Sequence, residues 1–283
     1  MLKLMENMKV AAVQMNSAVG KIRDNLSSMK RWIKAAAEEN VDFICFPEMC
    51  ITGYAMPESV EFSETIDGDS VKFILEMSEE FDITISAGIS ERSDDGVYIT
   101  QFIAENGIIR GKYRKTHLGE REKLHYKAGN SIEIIKCKNA NIGLQLCWES
   151  HFPEISSILA LNGADIILMP HSSGLPSNRR KDIWDKCLKA RAYDNTVYVI
   201  ACNQLGDNGL GTLFGGGCSA IDPRGNIMAE NYDSKDSLII VDITSEILYK
   251  LRTKEYTSMK DLYYLNRRRP ELYGKITQIN TKL

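Results

Sequence analysis

Short apolar runs rich in β-branched residues alternate with amphipathic helical patterns along almost the whole chain, and this rhythm restricts it to an α/β protein. KVAAVQM reads as a strand, NLSSMKRWIKAAAEE as a helix, VDFICFPE as a strand, SVKFILEMSEEF as a helix and ITISAGISER as a strand. VYITQFIAENGIIRGKYRK breaks the rhythm, because two strand-like runs flank Asn106-Gly107, a dipeptide suited to the tight turn of a hairpin. After a loop over 116–130 the alternation resumes with SIEIIKCKN, NIGLQLC, a helix from Phe152, ADIILMP, the helix RRKDIWDKCLKARAYDN and the strand VYVIACNQ. GGGCSAIDPRGNIMAE forms a second hairpin-like pair around residues 222–225, and SLIIVDI closes the regular part. Both halves run βα units followed by a hairpin, which suggests two sheets packed face to face with helices outside.

No Pro/Ser/Gly-rich linker or low-complexity tract divides this series, so residues 1–283 are expected to form a single domain. The final stretch, 255–283, contains DLYYLNRRRPELYGK and is aromatic and basic without a core period. It reads as a C-terminal arm that packs on another subunit or lies over its own domain.

Charge and cysteine content narrow the function classes. Thirty-five Lys and Arg against 38 Asp and Glu leave a formal charge of -3, which gives no basis for a nucleic-acid partner or an anionic membrane surface. MLKLMENMKVAAVQM lacks the unbroken apolar core of a signal peptide, and no window has the apolar length of a membrane span, so a cytoplasmic location is the default expectation. The 7 cysteines are odd in number and scattered through apolar runs, as befits reduced thiols. Cys45 and Cys50 lack a second pair or a histidine cluster to complete a zinc site, so no metal is expected.

Chemistry is concentrated where strands stop. In GLQLCWESHFPE, Cys147 sits on a strand-to-helix turn, where a rigid strand fixes a side chain and a loop leaves it accessible. A buried inert thiol is the plain alternative. FICFPEMCITGY delivers Glu48 at the end of an apolar strand, where a raised pKa would make it a general acid or base; a solvated strand-end carboxylate is the alternative. Lys115 ends the second hairpin strand in IIRGKYRKTHL, and a charged strand edge would account for it equally. Together the three are more informative. A thiol nucleophile needs a base, and the charge that develops on an attacked carbonyl or nitrile needs a cation or backbone donors.

FPEMCITGY, YRKTHL and GLQLCWESHFPE, in this order and at these separations, resemble the three signatures of the nitrilase superfamily of carbon–nitrogen hydrolases, and the resemblance runs from VAAVQM to RRRPELY. It implies a four-layer αββα sandwich, assembled as a homodimer or larger homo-oligomer, and a Glu48-Lys115-Cys147 catalytic triad. It also implies a second glutamate beside the lysine. Glu122 fits best, although Ala128-Gly129 stands where relatives have Pro-Gly and Glu120 lies nearby. Glu149 reads as structural or peripheral to the pocket. The implied reaction is hydrolysis of a non-peptide carbon–nitrogen bond in a small amide or N-carbamoyl amine, through a thioester on Cys147 and without metal or organic cofactor. Hydrolysis of a nitrile, or a non-catalytic binding role, are the alternatives.

Tyr54, Trp148 and His171 are expected near the substrate, with the Trp148 N–H as an oxyanion donor. Arg179 and Arg180 could bind a substrate carboxylate, but solvated positions at a helix start account for adjacent arginines more simply. A Cys-His hydrolase using His117, His125, His151 or His171 is a rival within nucleophilic catalysis. The glycines of GLGTLFGGGCSA lack the lysine of a phosphate-binding loop and read as a flexible turn beside the pocket.

Overall fold

The computed structural model describes residues 5–253 and 263–278. Its first strand, β1 (Met8–Gln14), shows how the sheets are placed. Successive side chains of a strand point to opposite faces. Val10 and Ala12 enter one apolar core, whereas Ala11 and Val13 enter another with Met29 and Ile33 of α1 (Ile22–Glu38) and Val71 and Ile74 of α2 (Asp69–Glu80). A strand apolar on both faces needs a layer on each side.

The first core is shared with the other half of the chain. It joins Val10, Phe43 and Cys45 to Leu144, Ile166, Leu168, Tyr198 and Ile200. A third core packs Leu159 of α3 (Pro153–Leu161) and Trp184, Leu188 and Ala192 of α4 (Ser177–Asn195) on the outer faces of Ile167, Met169 and Val199. The layers therefore run helix, sheet, sheet, helix, the αββα sandwich. Each fully buried Ile or Leu, such as Ile33, Ile74 and Leu188, contributes roughly 1.5–3 kcal/mol.

The two six-stranded sheets follow the same plan. In the first, β1, β2 (Phe43–Cys45) and β3 (Thr84–Ser93) are parallel. The antiparallel strands β4 (Gly96–Glu105) and β5 (Ile108–Arg114) extend one edge and β14 (Ser237–Ile243) the other. In the second, β7 (Asn141–Leu144), β8 (Ile166–His171) and β9 (Tyr198–Asn203) are parallel. They are flanked by β6 (Ile135–Lys136) and by the pair β12 (Cys218–Ile221) and β13 (Ile227–Asn231). Asn106 and Gly107 form the β4–β5 turn with φ of 51° and 73°, as a two-residue turn with both centres left-handed requires.

Several local expectations are corrected. SIEIIKCKN pairs only over Ile135–Lys136. The glycine-rich segment is a built ribbon, with β10 (Leu205–Asp207) pairing β11 (Leu213–Gly215). Its tip is fastened by Asp207, which accepts from the Gly209 and Gly211 amides, and by Asn208, which accepts from those of Leu210 and Thr212. SLIIVDI is followed by a further helix, α5 (Ser245–Thr253). Of the expected arm, 255–262 and 279–283 lie outside the described residues. Within 263–278, Leu265 packs into the core of α3 and α4, and the Tyr264 and Tyr193 hydroxyls lie 2.8 Å apart. Among the described residues no helix is long and apolar enough to cross a membrane.

Candidate active site

Residues just past the ends of β2, β5 and β8 meet at one place in the fold. After β2 ends at Cys45 the chain turns sharply, and Met49 adopts a left-handed φ of 51°. Such a turn is unfavourable for a side-chain-bearing residue and needs fastening from outside. Gln101 donates to the Phe46 carbonyl at 3.2 Å, and Ser172 Oγ and Gln204 Nε2 donate to the Glu48 carbonyl at 2.5 and 3.0 Å. Gly88 lies directly behind, where an added Cβ would stand 2.4 Å from the Met49 nitrogen. The turn thus delivers Glu48 into the protein with no exposed surface.

Lys115 arrives from the other side, immediately after β5. Its amide donates to the Ile99 carbonyl at 2.9 Å and its carbonyl accepts from Gly129 at 2.8 Å. Gly129 is required by the packing, because a Cβ there would lie 2.2 Å from the Arg114 carbonyl oxygen. The Lys115 ammonium, sealed from solvent, donates to Glu48 Oε1 at 2.8 Å and to Glu122 Oε1 at 2.7 Å. Glu122 also accepts from the Tyr54 hydroxyl and the Gly119 amide, each at 2.7 Å. Glu120, by contrast, is on the surface, paired with Lys123.

The charges follow from this arrangement. Burial pushes Glu48 up to about 7, against the pull of Lys115 and with the push of the Glu122 charge. Burial also opposes ionisation of Glu122, but Lys115 and the donors from Tyr54 and Gly119 outweigh it and hold that carboxyl below its ordinary range. Burial alone would favour neutral Lys115; Glu48 and Glu122 override it and keep the ammonium charged well above its usual limit. The two carboxyls around one cation therefore differ in character. Glu122 is the fixed anion, and Glu48 exchanges its proton near neutrality.

Cys147 occupies the turn between β7 and a one-turn 3-10 helix over Cys147–His151, with a left-handed φ of 44°. The amides at the start of such a turn, that of Trp148 included, have no intrahelical acceptor. Burial, followed by the charge on Glu48, pushes the Cys147 thiol up to about 12, while Lys115 and Arg180 act the other way. The resting sulfur is a thiol.

Glu149 ties the cysteine turn to the lysine loop. Its Oε2 accepts from the Leu146 amide at 2.7 Å, and its Oε1 from the Tyr113 hydroxyl at 2.7 Å, the Thr116 amide and hydroxyl at 2.7 Å and the His117 amide at 3.0 Å. This is the structural role expected of it, although it is fully buried. Trp148 is 49% exposed and stacks near His151 and Phe152. Tyr54 and Ser172 line a cavity of about 300 Å³, walled also by Arg121, Thr212 and Phe214.

The histidines do not form a dyad with the cysteine. His171 is buried, with Nδ1 2.7 Å from the Met169 carbonyl and Nε2 accepting from Trp184 Nε1 at 3.2 Å, so it is neutral; burial and then Arg180 hold it well below its ordinary value. It supports Ser172, whose amide donates to Glu48 Oε2 at 3.0 Å. His125 and His151 are exposed, and His117 lies 2.8 Å from the Thr116 hydroxyl.

Gln204, just after β9, escaped the sequence reading although the reasoning applied to Glu48, Lys115 and Cys147 would have pointed to it. Arg180 corrects it outright. Arg179 is exposed as expected, but Arg180 is only 3% exposed, in line with Trp184, Leu188 and Ala192 on the buried face of α4.

A carbon-nitrogen hydrolase family model matches residues 9–253. The chain belongs to this family. It is 27% identical to the nitrilase of Pyrococcus abyssi, over 94% of this chain and 98% of that one. It is 28% identical to the citrullinase of Francisella tularensis, over 97% and 99% of the two chains. Its fold superposes on an amidase from Nesterenkonia with a TM-score of 0.82 at 21% identity, covering 96% and 97% of the chains. The nitrilase-superfamily sandwich inferred from sequence is therefore the fold of this carbon-nitrogen hydrolase.

Proposed function

We propose that this hydrolase cleaves a small amide or N-carbamoyl amine through a thioester on Cys147. The observation that carries the reading is the sealed Glu48-Lys115-Glu122 network, a fixed cation between one fixed anion and one carboxyl that titrates near neutrality, beside a cysteine on a strained turn.

In this mechanism ionised Glu48 takes the thiol proton as the sulfur attacks the amide carbon. The negative charge moves to the carbonyl oxygen, where Lys115 and the Trp148 N–H stabilise it. The tetrahedral species collapses when Glu48 returns its proton to the departing nitrogen, which leaves ammonia or an amine and a thioester. Glu48 then takes a proton from water, the hydroxide displaces the sulfur, and the thiol is restored. Glu122 keeps Lys115 charged and in place throughout. The small cavity beside Tyr54 and Ser172 suits a substrate of a few heavy atoms. We further propose a homo-oligomer as the working form.

The test is ammonia release from short aliphatic amides, ω-amides, N-carbamoyl amines and nitriles, with Cys147→Ala alongside. Release from an amide or carbamoyl class that is lost in the variant supports the reading. Release from nitriles alone would replace it with a nitrilase, and release that survives in Cys147→Ala would overturn the cysteine mechanism.

A further inference from the structure

A buried cation normally sits against a carboxylate, because an unpaired charge in the interior is strongly unfavourable. Among the described residues two cations are fully buried, Lys115 and Arg180, and Lys115 obeys the rule. Lys115 has Glu48 and Glu122, Arg114 and Lys112 share Glu91, and Arg252 is bonded to Asp165. Arg180 does not. It is 3% exposed, yet among the described residues its side chain makes no ion pair and no hydrogen bond, and its Nε is sealed without an acceptor. Its guanidinium lies over the face of Trp184, 5.5 Å from the ring centroid, which compensates a buried charge only in part.

Its position ties it to the reaction centre. Trp184, one helical turn further along α4, donates its indole N–H to His171, and the next residue, Ser172, lines the cavity and binds Glu48. Cys147 and His151 both lie within electrostatic range of the guanidinium. Arg121, the arginine of the cavity wall, is exposed, and Glu58 stands in the same wall. Arg180 is thus a fully buried positive charge without a counter-ion, within electrostatic range of the nucleophile.

We infer that Arg180 is the recognition site for an anionic group on the substrate, a carboxylate separated by a short chain from the amide or carbamoyl carbon that Cys147 attacks. The inference rests on the amidase reading and narrows its substrate to carboxylated amides, such as ω-amides of short dicarboxylic acids or N-carbamoyl amino acids. A guanidinium matches a carboxylate with two parallel hydrogen bonds, and a substrate carboxylate would satisfy a donor set that the protein leaves open. An uncharged substrate of the same length leaves those donors unpaired, which is the arrangement that gives a polar site its largest discrimination.

The experiment compares kcat/KM for succinamate and glutaramate with butyramide and valeramide, in the native enzyme and in Arg180→Gln, Arg180→Lys and Arg121→Gln. The ratio of anionic to neutral substrate should fall by about a hundredfold in Arg180→Gln and be partly retained in Arg180→Lys. The ratio is insensitive to a general loss of active protein, so a fold defect cannot imitate the result. A ratio that stays within about threefold in Arg180→Gln, or that collapses with Arg121→Gln instead, overturns the assignment.

If none of the four compounds is hydrolysed, the amidase reading is what has failed for them, and the anion site is read by binding. Glutarate should then raise the melting temperature of native protein and of Cys147→Ala but not of Arg180→Gln, whereas uncharged glutaramide should not raise it. An equal rise in Arg180→Gln overturns the site.

Discussion

Replacing Glu48 by Gln should abolish turnover and at the same time stabilise the protein at alkaline pH. The carboxyl is wholly buried, and its pKa rises from the ordinary 4.5 to about 7 even with Lys115 at 2.8 Å. A carboxyl raised in the folded state contributes stability that is fully present below its unfolded pKa and is lost as pH rises through the folded one. Between pH 4.5 and 7 that loss comes to about 3 kcal/mol, at roughly 1.4 kcal/mol per pH unit. Gln keeps the shape and never takes the charge. It cannot accept from both Lys115 and the Ser172 amide, which trims the gain to about 2 kcal/mol. In scanning calorimetry at a fixed rate, Glu48→Gln should melt about 4–8 °C above the native protein at pH 8. The advantage should shrink nearly to zero at pH 5, where native Glu48 is protonated as well. A variant that melts lower than native at pH 8, or an offset identical at pH 5 and 8, would refute the reasoning that the fold tolerates an ionised Glu48 for the sake of chemistry.

Two further predictions use the same network. On the assigned substrate, kcat/KM should rise tenfold per pH unit on the acid side and level off near pH 7, because Glu48 must be ionised to accept the thiol proton; an inflection near 4.5 would exclude it as the base. Glu149→Leu strands the donors of Leu146, Tyr113, Thr116 and His117 and should lower stability by about 3–5 kcal/mol in urea unfolding, with kcat reduced as the cysteine turn loosens; a variant with native stability would contradict the tie between the two loops.

Much of this was legible in the sequence, because strand ends carry their own signals. The period-2 and helical runs locate the strands and helices, and Glu48, Lys115 and Cys147 stand where apolar runs stop. Between Glu122 and Glu120 only the resemblance of EKLHYKAG favours Glu122; in the structure the Glu122 carboxylate lies 2.7 Å from the Lys115 ammonium and Glu120 pairs with Lys123 at the surface. What escaped depends on contacts across the fold. Arg180 falls on the buried face of α4 only because Trp184, Leu188 and Ala192 set that face, and its basic neighbours Arg179 and Lys181 disguise it as a solvated start of a helix. The ribbon β10–β11 escaped because its glycines are held by the Asp207 and Asn208 side chains, a fastening that leaves no periodic signal. That Glu149 is structural and not merely peripheral shows only when Tyr113, Thr116 and His117, more than thirty residues away in the chain, are seen to donate to it.

The central claim is that Cys147 carries the acyl group between two half-reactions, and trapping that group tests it most directly. Native protein would be mixed with each ammonia-releasing substrate, quenched in acid within the first turnovers and measured by intact mass and peptide mapping. The account predicts a mass increase equal to the acyl or carbamoyl portion, located on the peptide containing Cys147, that decays as acid is released and is missing from Cys147→Ala. Turnover with the adduct on another residue, or turnover retained by Cys147→Ala, would contradict it.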